Sequence, residues 1–91
     1  MISRDVVFRD RYGLHPRSAH RIGEALAGTA SRVTIEHLAT GRPPVDARSM
    51  MALISSGIQA GDPVRVTADG ADEDSTLERI AALLEAGVCH P

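Results

Sequence analysis

The sequence predicts an α+β fold, an open-faced sandwich in which a four-stranded antiparallel sheet carries three helices on one face. Three observations lead there. The apolar periodicity changes along the chain in the order β-α-β-β-α-β-α. The two central strands are joined by a short turn at Gly41, which makes them an antiparallel hairpin and excludes an all-parallel doubly wound sheet. The 91 residues are one domain's worth, so 1–91 is read as a single domain. A core that small obliges the helices to share one sheet face.

Each element follows from its own residues. Residues 2–8, "ISRDVVF", form the first strand, strongest at Val6, Val7 and Phe8. "RDRYG" is a loop. A helix is predicted from Pro16 to about Ala27, with Ala19, Ile22, Gly23 and Leu26 on one face. Pro16 suits the first helical position, where its missing N–H costs nothing, and this makes His15 the N-cap. Gly28 is the stop signal. Residues 31–38, "SRVTIEHL", alternate and are rich in β-branched side chains, with Val33 and Ile35 inward. Pro43 and Pro44 keep the next strand short and at an edge. "SMMALISSG", 49–57, reads as a short helix with Ser49 as N-cap and Gly57 as stop. "GDP" at 61–63 is a turn, and 64–68, "VRVTA", is a strand with Val64 and Val66 inward. "DGADED" opens the last helix, whose first-turn acids suit the helix dipole. Its buried stripe is Leu77, Ile80, Ala81 and Leu84, and Gly87 ends it.

Composition narrows the function classes. Phe8 and Tyr12 are the only aromatics, so the core is aliphatic. A formal net charge of −2 gives no general attraction to nucleic acid or to an anionic membrane. Every basic residue other than histidine is arginine, which rules out lysine chemistry such as Schiff bases and P-loops. Arg4, Asp5, Arg9 and Asp10 keep "MISRDVVFRD" from being the apolar stretch of a signal peptide. No apolar run approaches the length that spans a bilayer. Cys89 is the only cysteine, so no internal disulfide can form. A cytoplasmic monomer is expected. No histidines or acids have convincing metal spacing, and Cys89-His90 belongs to a frayed tail.

The chemistry concentrates at "GLHPRSAH", 13–20. At a helix N-terminus the first N–H groups lack intrahelical partners, and the dipole adds roughly half a positive charge. Both suit an anion such as phosphate at His15. Both also disfavour a protonated imidazole, and the neutral ring is the nucleophile. Arg17 can add charge-assisted hydrogen bonds to phosphoryl oxygens. The plainer reading is that His15 is only a cap. His20 falls on the outer side of the same helix and His37 on the inward register of its strand or at its end; both read as packing or surface residues. In "SMMALISSG", Met50, Met51, Leu53 and Ile54 cannot all face inward on one short helix. Either the helix is buried on two sides, or it offers an adaptable apolar patch to protein partners.

Two segments carry a resemblance. "GLHPRSA" is similar to the active-site motif of HPr, the histidine-containing phosphocarrier of the phosphoenolpyruvate-dependent sugar phosphotransferase system, usually G-L-H-A-R-P-A. "DARSMMALISSGIQAGDPVRVTADGADED" resembles that family's second motif and its continuation through the last strand into the last helix. The resemblance implies the same element order. It implies that His15 is phosphorylated by enzyme I, with phosphoenolpyruvate as donor, and passes the group to an enzyme II A-domain. Arg17 would steady the phosphoryl group. Ser49 would be the regulatory serine, open to an HPr kinase/phosphatase where one exists. Met50, Met51 and Ile54, with His20 nearby, would form the docking patch. The carrier would need no cofactor or metal, and would be a protein substrate rather than an enzyme turning over alone.

The chain departs from that pattern at three places. Pro16 lacks the N–H that the family offers the phosphoryl group, and the Arg17 or Ser18 amide or the Ser18 hydroxyl is expected to replace it. Ser18 stands where the family has proline. The connection through "HLATGRPP" is a few residues longer. Two rival readings arise. One is a regulatory HPr-like protein acting through the Ser49 patch, or a carrier for a nitrogen-regulatory or dihydroxyacetone kinase branch. The other is a small enzyme hydrolysing acyl phosphates, for which no second catalytic group is placed beside His15 and Arg17.

Overall fold

A computed structural model describes residues 1–11 and 13–86. The elements keep the expected order: β1 (Ile2–Val7), α1 (Pro16–Leu26), β2 (Arg32–His37), β3 (Val45–Asp46), α2 (Met50–Ser55), β4 (Pro63–Asp69) and α3 (Glu73–Ala86). The strands form one antiparallel sheet in the order β1-β4-β2-β3. β4 is central because it alternates most strictly: Val64, Val66 and Ala68 are buried, while Arg65 and Asp69 face water. Its proline, Pro63, opens the strand, where a missing N–H disturbs the ladder least. β3 is a two-residue edge strand, as Pro43 and Pro44 require.

Strand period decides which face is covered. Val33 and Ile35 of β2 pair with Ala68 and Val66 of β4, and all four side chains meet the helices. The alternate positions carry Ser3, Asp5, Arg65, Thr67 and Glu36 on the open face. There Arg65 reaches Asp5 at 2.8 and 3.2 Å. That hydrogen bond holds the Asp5 carboxyl below the usual carboxylate range.

Apart from Phe8, the core is aliphatic as predicted. Ile22 and Leu26 of α1, Leu53 of α2, and Ile80 and Leu84 of α3 are fully buried with Phe8, Ile35 and Ile58. The predicted α3 stripe of Leu77, Ile80, Ala81 and Leu84 is buried throughout. Burying a side chain of this size contributes about 1.5–3 kcal/mol.

The last helix starts later than "DGADED" implies. Asp69 ends β4, and the helix begins at Glu73. Asp72 instead turns back, taking the Ala30 N–H at 3.0 Å and a hydrogen bond from the Ser31 hydroxyl. These bonds, that from Ser31 first, depress the Asp72 carboxyl from its usual value. Gly70 allows the close approach: at φ +159°, a Cβ there would lie 2.6 Å from Ser31 Cα. The expected stop at Gly87 and the Cys89-His90 tail lie outside the described residues, as does Tyr12.

Candidate functional site

The loop before α1 is built to present His15. Gly13 has φ +73°, and a Cβ there would meet the Ile58 carbonyl at 3.2 Å. Gly13 N–H donates to the Asp10 carbonyl at 3.0 Å, and Leu14 N–H to that of Ile58 at 3.0 Å. The loop is thus tied to the turn after α2. Leu14 is buried just before the cap, so the chain enters α1 from an apolar anchor.

His15 is the N-cap, in extended conformation at φ −130°, ψ 177°, with Pro16 in the first turn. Its Nδ1 accepts the Arg17 N–H at 3.2 Å. Its own N–H donates to Ser18 Oγ at 2.9 Å. This reciprocal arrangement is a capping box in which histidine stands where serine or threonine is usual. The Arg17 N–H needs a lone pair, so Nδ1 carries no proton in this geometry and the neutral ring is protonated on Nε2. Nε2 is shielded from solvent, and the Nδ1 contact lies at the surface.

Arg17 is exposed. Among the described residues no carboxylate forms a salt bridge with it. Its guanidinium is available to an anion at the helix start. Ser18 lies in the same turn but turns inward. It is 0% exposed, and its hydroxyl donates to the His15 carbonyl at 3.0 Å. The hydroxyl is engaged inside the cap rather than turned toward an anion on the ring. His20 is exposed on the outer side of α1, 3.7 Å from Glu24.

α2 supplies the second cluster. Ser49 is its N-cap, its Oγ accepting the Ala52 N–H at 3.2 Å. Leu53 is the buried residue of this six-residue helix. Met51 is 77% exposed, Met50 41% and Ile54 39%. These three side chains therefore form an apolar surface, not a second buried side. Just before Ser49, Arg48 reaches the carbonyls of Ser31 (2.9 Å), Leu26 and Thr29 (3.3 Å each), and the Thr29 hydroxyl (2.7 Å). It thereby ties the end of α1 to the start of α2, satisfying carbonyls that a helix end leaves open.

The sequence predicts a packing or surface role for His37, and the residue is 5% exposed at the end of β2. Its Nε2 lies 2.7 Å from Asp62 Oδ2, and its Nδ1 3.3 Å from the Ser56 carbonyl. Asp62 also accepts the Gln59 N–H at 2.9 Å. The Gln59 amide, then His37, hold the Asp62 carboxyl below its usual range. The pair fastens the turn that carries the Ile58 carbonyl. Nothing in the local sequence of either residue signals this pairing. The inward register of His37 is the one clue, because a buried polar side chain has to be hydrogen-bonded. Among the described residues no group of three or more His, Cys, Asp or Glu could hold a metal ion. Among the same residues, no helix is long and apolar enough to cross a membrane.

Residues 2–86, which hold both the capped start of α1 and the apolar surface of α2, match the model of the phosphotransferase-system HPr component phosphorylation site family. The chain belongs to the HPr family of phosphocarrier proteins. It is 37% identical over 76 residues to the phosphocarrier protein HPr of Streptomyces coelicolor, covering 84% of this chain and 80% of that one. It is 30% identical over 88 residues to a multiphosphoryl transfer protein of Escherichia coli O157:H7, covering 97% of this chain but spanning only 23% of that relative's length. Among solved structures, an HPr of Thermoanaerobacter tengcongensis superposes with a TM-score of 0.84 at 26% identity, over 94% of this chain and 93% of that one. The catabolite repression protein Crh of Bacillus subtilis superposes with a TM-score of 0.74 at 30% identity, over 99% and 100%. The four-stranded open sheet with its three helices is the fold of these structures.

Proposed function

We propose that this chain accepts a phosphoryl group on His15 from enzyme I, with phosphoenolpyruvate as the ultimate donor, and passes it to enzyme II A-domains in sugar uptake. The observation that carries the reading is the contact between His15 Nδ1 and the Arg17 N–H at the start of α1. The neutral ring attacks the donor's phosphorus through the Nδ1 lone pair. The N–P bond forms as the donor's bond to phosphorus breaks and its electron pair leaves with the donor. The Arg17 N–H then turns from the ring nitrogen to a phosphoryl oxygen, and the Arg17 guanidinium offers charge-assisted bonds to the others. Release to the next protein reverses these steps. The chain is thus a cytoplasmic carrier, consumed and restored by its partners, with no turnover alone. Met50, Met51 and Ile54, with His20 on α1, serve as the docking surface, and Ser49 as its regulatory serine.

The test is the intact mass after incubation with cognate enzyme I and phosphoenolpyruvate, beside His15→Ala. The expected result is a gain of one acid-labile phosphoryl group that is absent from the variant. A folded protein that gains none contradicts the reading. A second reading, a regulatory HPr-like protein acting through Ser49, draws support from the full-length likeness to the catabolite repression protein. It predicts that a kinase acting on Ser49, and not His15 phosphorylation, changes partner binding.

A further inference from the structure

We propose that Pro16 and Ser18 act together to set how readily the phosphohistidine gives up its phosphoryl group. The inference rests on the carrier reading above. The first turn of a helix ordinarily offers a bound anion several backbone N–H groups. Here the first of them is missing, because Pro16 occupies that position. Pro16 is exposed, so the loss faces the site and not the core. A phosphoryl group on Nδ1 meets the Arg17 N–H, which already points at that atom, but finds no amide at residue 16. One charge-assisted bond fewer holds the phosphorylated state than in a site with an ordinary residue there. The unphosphorylated state loses nothing, since a first-turn N–H there has no intrahelical partner. Proline at this position therefore raises the free energy of the phosphorylated form relative to the unphosphorylated one and favours onward transfer.

Ser18 holds the loop for this chemistry. Its hydroxyl accepts the His15 N–H at 2.9 Å and donates to the His15 carbonyl at 3.0 Å, so it grips the residue from both sides of its backbone. It is wholly buried. Ser18 is accordingly a positioning residue. It fixes His15 while Pro16 withholds an amide from the product.

The experiment mixes wild type and Pro16→Ala in equal amounts with catalytic cognate enzyme I and limiting phosphoenolpyruvate. Intact mass then reads how the phosphoryl groups distribute at equilibrium. The variant is expected to hold the group about ten- to hundredfold more strongly, the equilibrium equivalent of one charge-assisted hydrogen bond. An even distribution overturns the proposal and leaves the carrier reading standing. Phosphorylation of neither protein overturns both. Ser18→Ala is measured separately for uptake kinetics. It should lower kcat about tenfold with KM unchanged, since the docking surface is untouched, and Ser18→Thr should recover most of the loss. A Ser18→Ala variant that changes KM alone, or changes neither constant, contradicts the positioning role.

Discussion

The starts of α1 and α2 use the same device for different ends. Both are capped by a side chain that accepts a first-turn N–H at 3.2 Å, from Arg17 in one and Ala52 in the other. α1 then runs for 11 residues and is anchored by Ala19, Ile22 and Leu26. α2 runs for six and is anchored by Leu53. In the proposed function the first helix holds the phosphoryl-accepting nitrogen still. The second presents the apolar surface proposed for docking, which flexible methionine side chains let adapt to a partner. Covalent chemistry needs the rigid start, since reacting atoms have to be placed closely. Transient docking would tolerate a start held by fewer buried side chains.

The sharpest way to break this comparison is to remove each helix's anchor. Ile22→Ala and Leu53→Ala should each cost about 2–5 kcal/mol, as both side chains are fully buried. The consequences should differ in place. Hydrogen exchange should show α2 amides opening locally in Leu53→Ala while α1 stays protected. In Ile22→Ala the whole chain should lose protection together. Equal and global loss in both variants would mean that α2 is no softer than α1.

A smaller effect separates docking from stability. Ser49→Asp keeps an oxygen acceptor at the N-cap and places a negative charge where the helix dipole favours it. Its melting temperature should stay close to wild type. The charge also enters the Met50, Met51 and Ile54 surface, so KM for enzyme I should rise about tenfold, near 1.4 kcal/mol. A fall in kcat with KM unchanged would place Ser49 in the chemistry instead.

The smallest effect concerns the turn that braces the His15 loop. Asp62 is held below its usual carboxylate range by Gln59 and His37. A carboxyl depressed in the folded state adds stability that is complete above its unfolded value, about 4. That stability is lost as pH falls through the folded value. The melting temperature of the wild type should therefore hold from neutral pH down to about 5 and decline below about 4. Asp62→Asn should start lower and decline less steeply. The same slope in both proteins would show that Asp62 does not carry this dependence.

The sequence reveals most of what local patterns can encode. α1 is legible because a proline start, a 3.6-residue apolar stripe and a glycine stop agree. β3 is legible as a short edge because two prolines precede it. The start of α3 is not, because "DGADED" looks like a helix opening while Asp72 is drawn off to Ala30 and Ser31, some forty residues away. At the site, His15 as a cap and Arg17 beside it follow from the spacing. The inward turn of Ser18 does not, since a serine at that position reads equally well as exposed. Arg48 and the His37–Asp62 pair are beyond its reach for the same reason: each joins elements distant in sequence, and only the folded chain brings them together.

The proposed carrier chemistry turns first on which atom receives the phosphoryl group. Nitrogen-resolved NMR of the ring-labelled protein, phosphorylated through enzyme I, reads this without ambiguity. The expected result is a phosphorus bond to His15 Nδ1, whose contact with the Arg17 amide lies at the surface. Phosphorylation at Nε2, or on any residue other than His15, would contradict it.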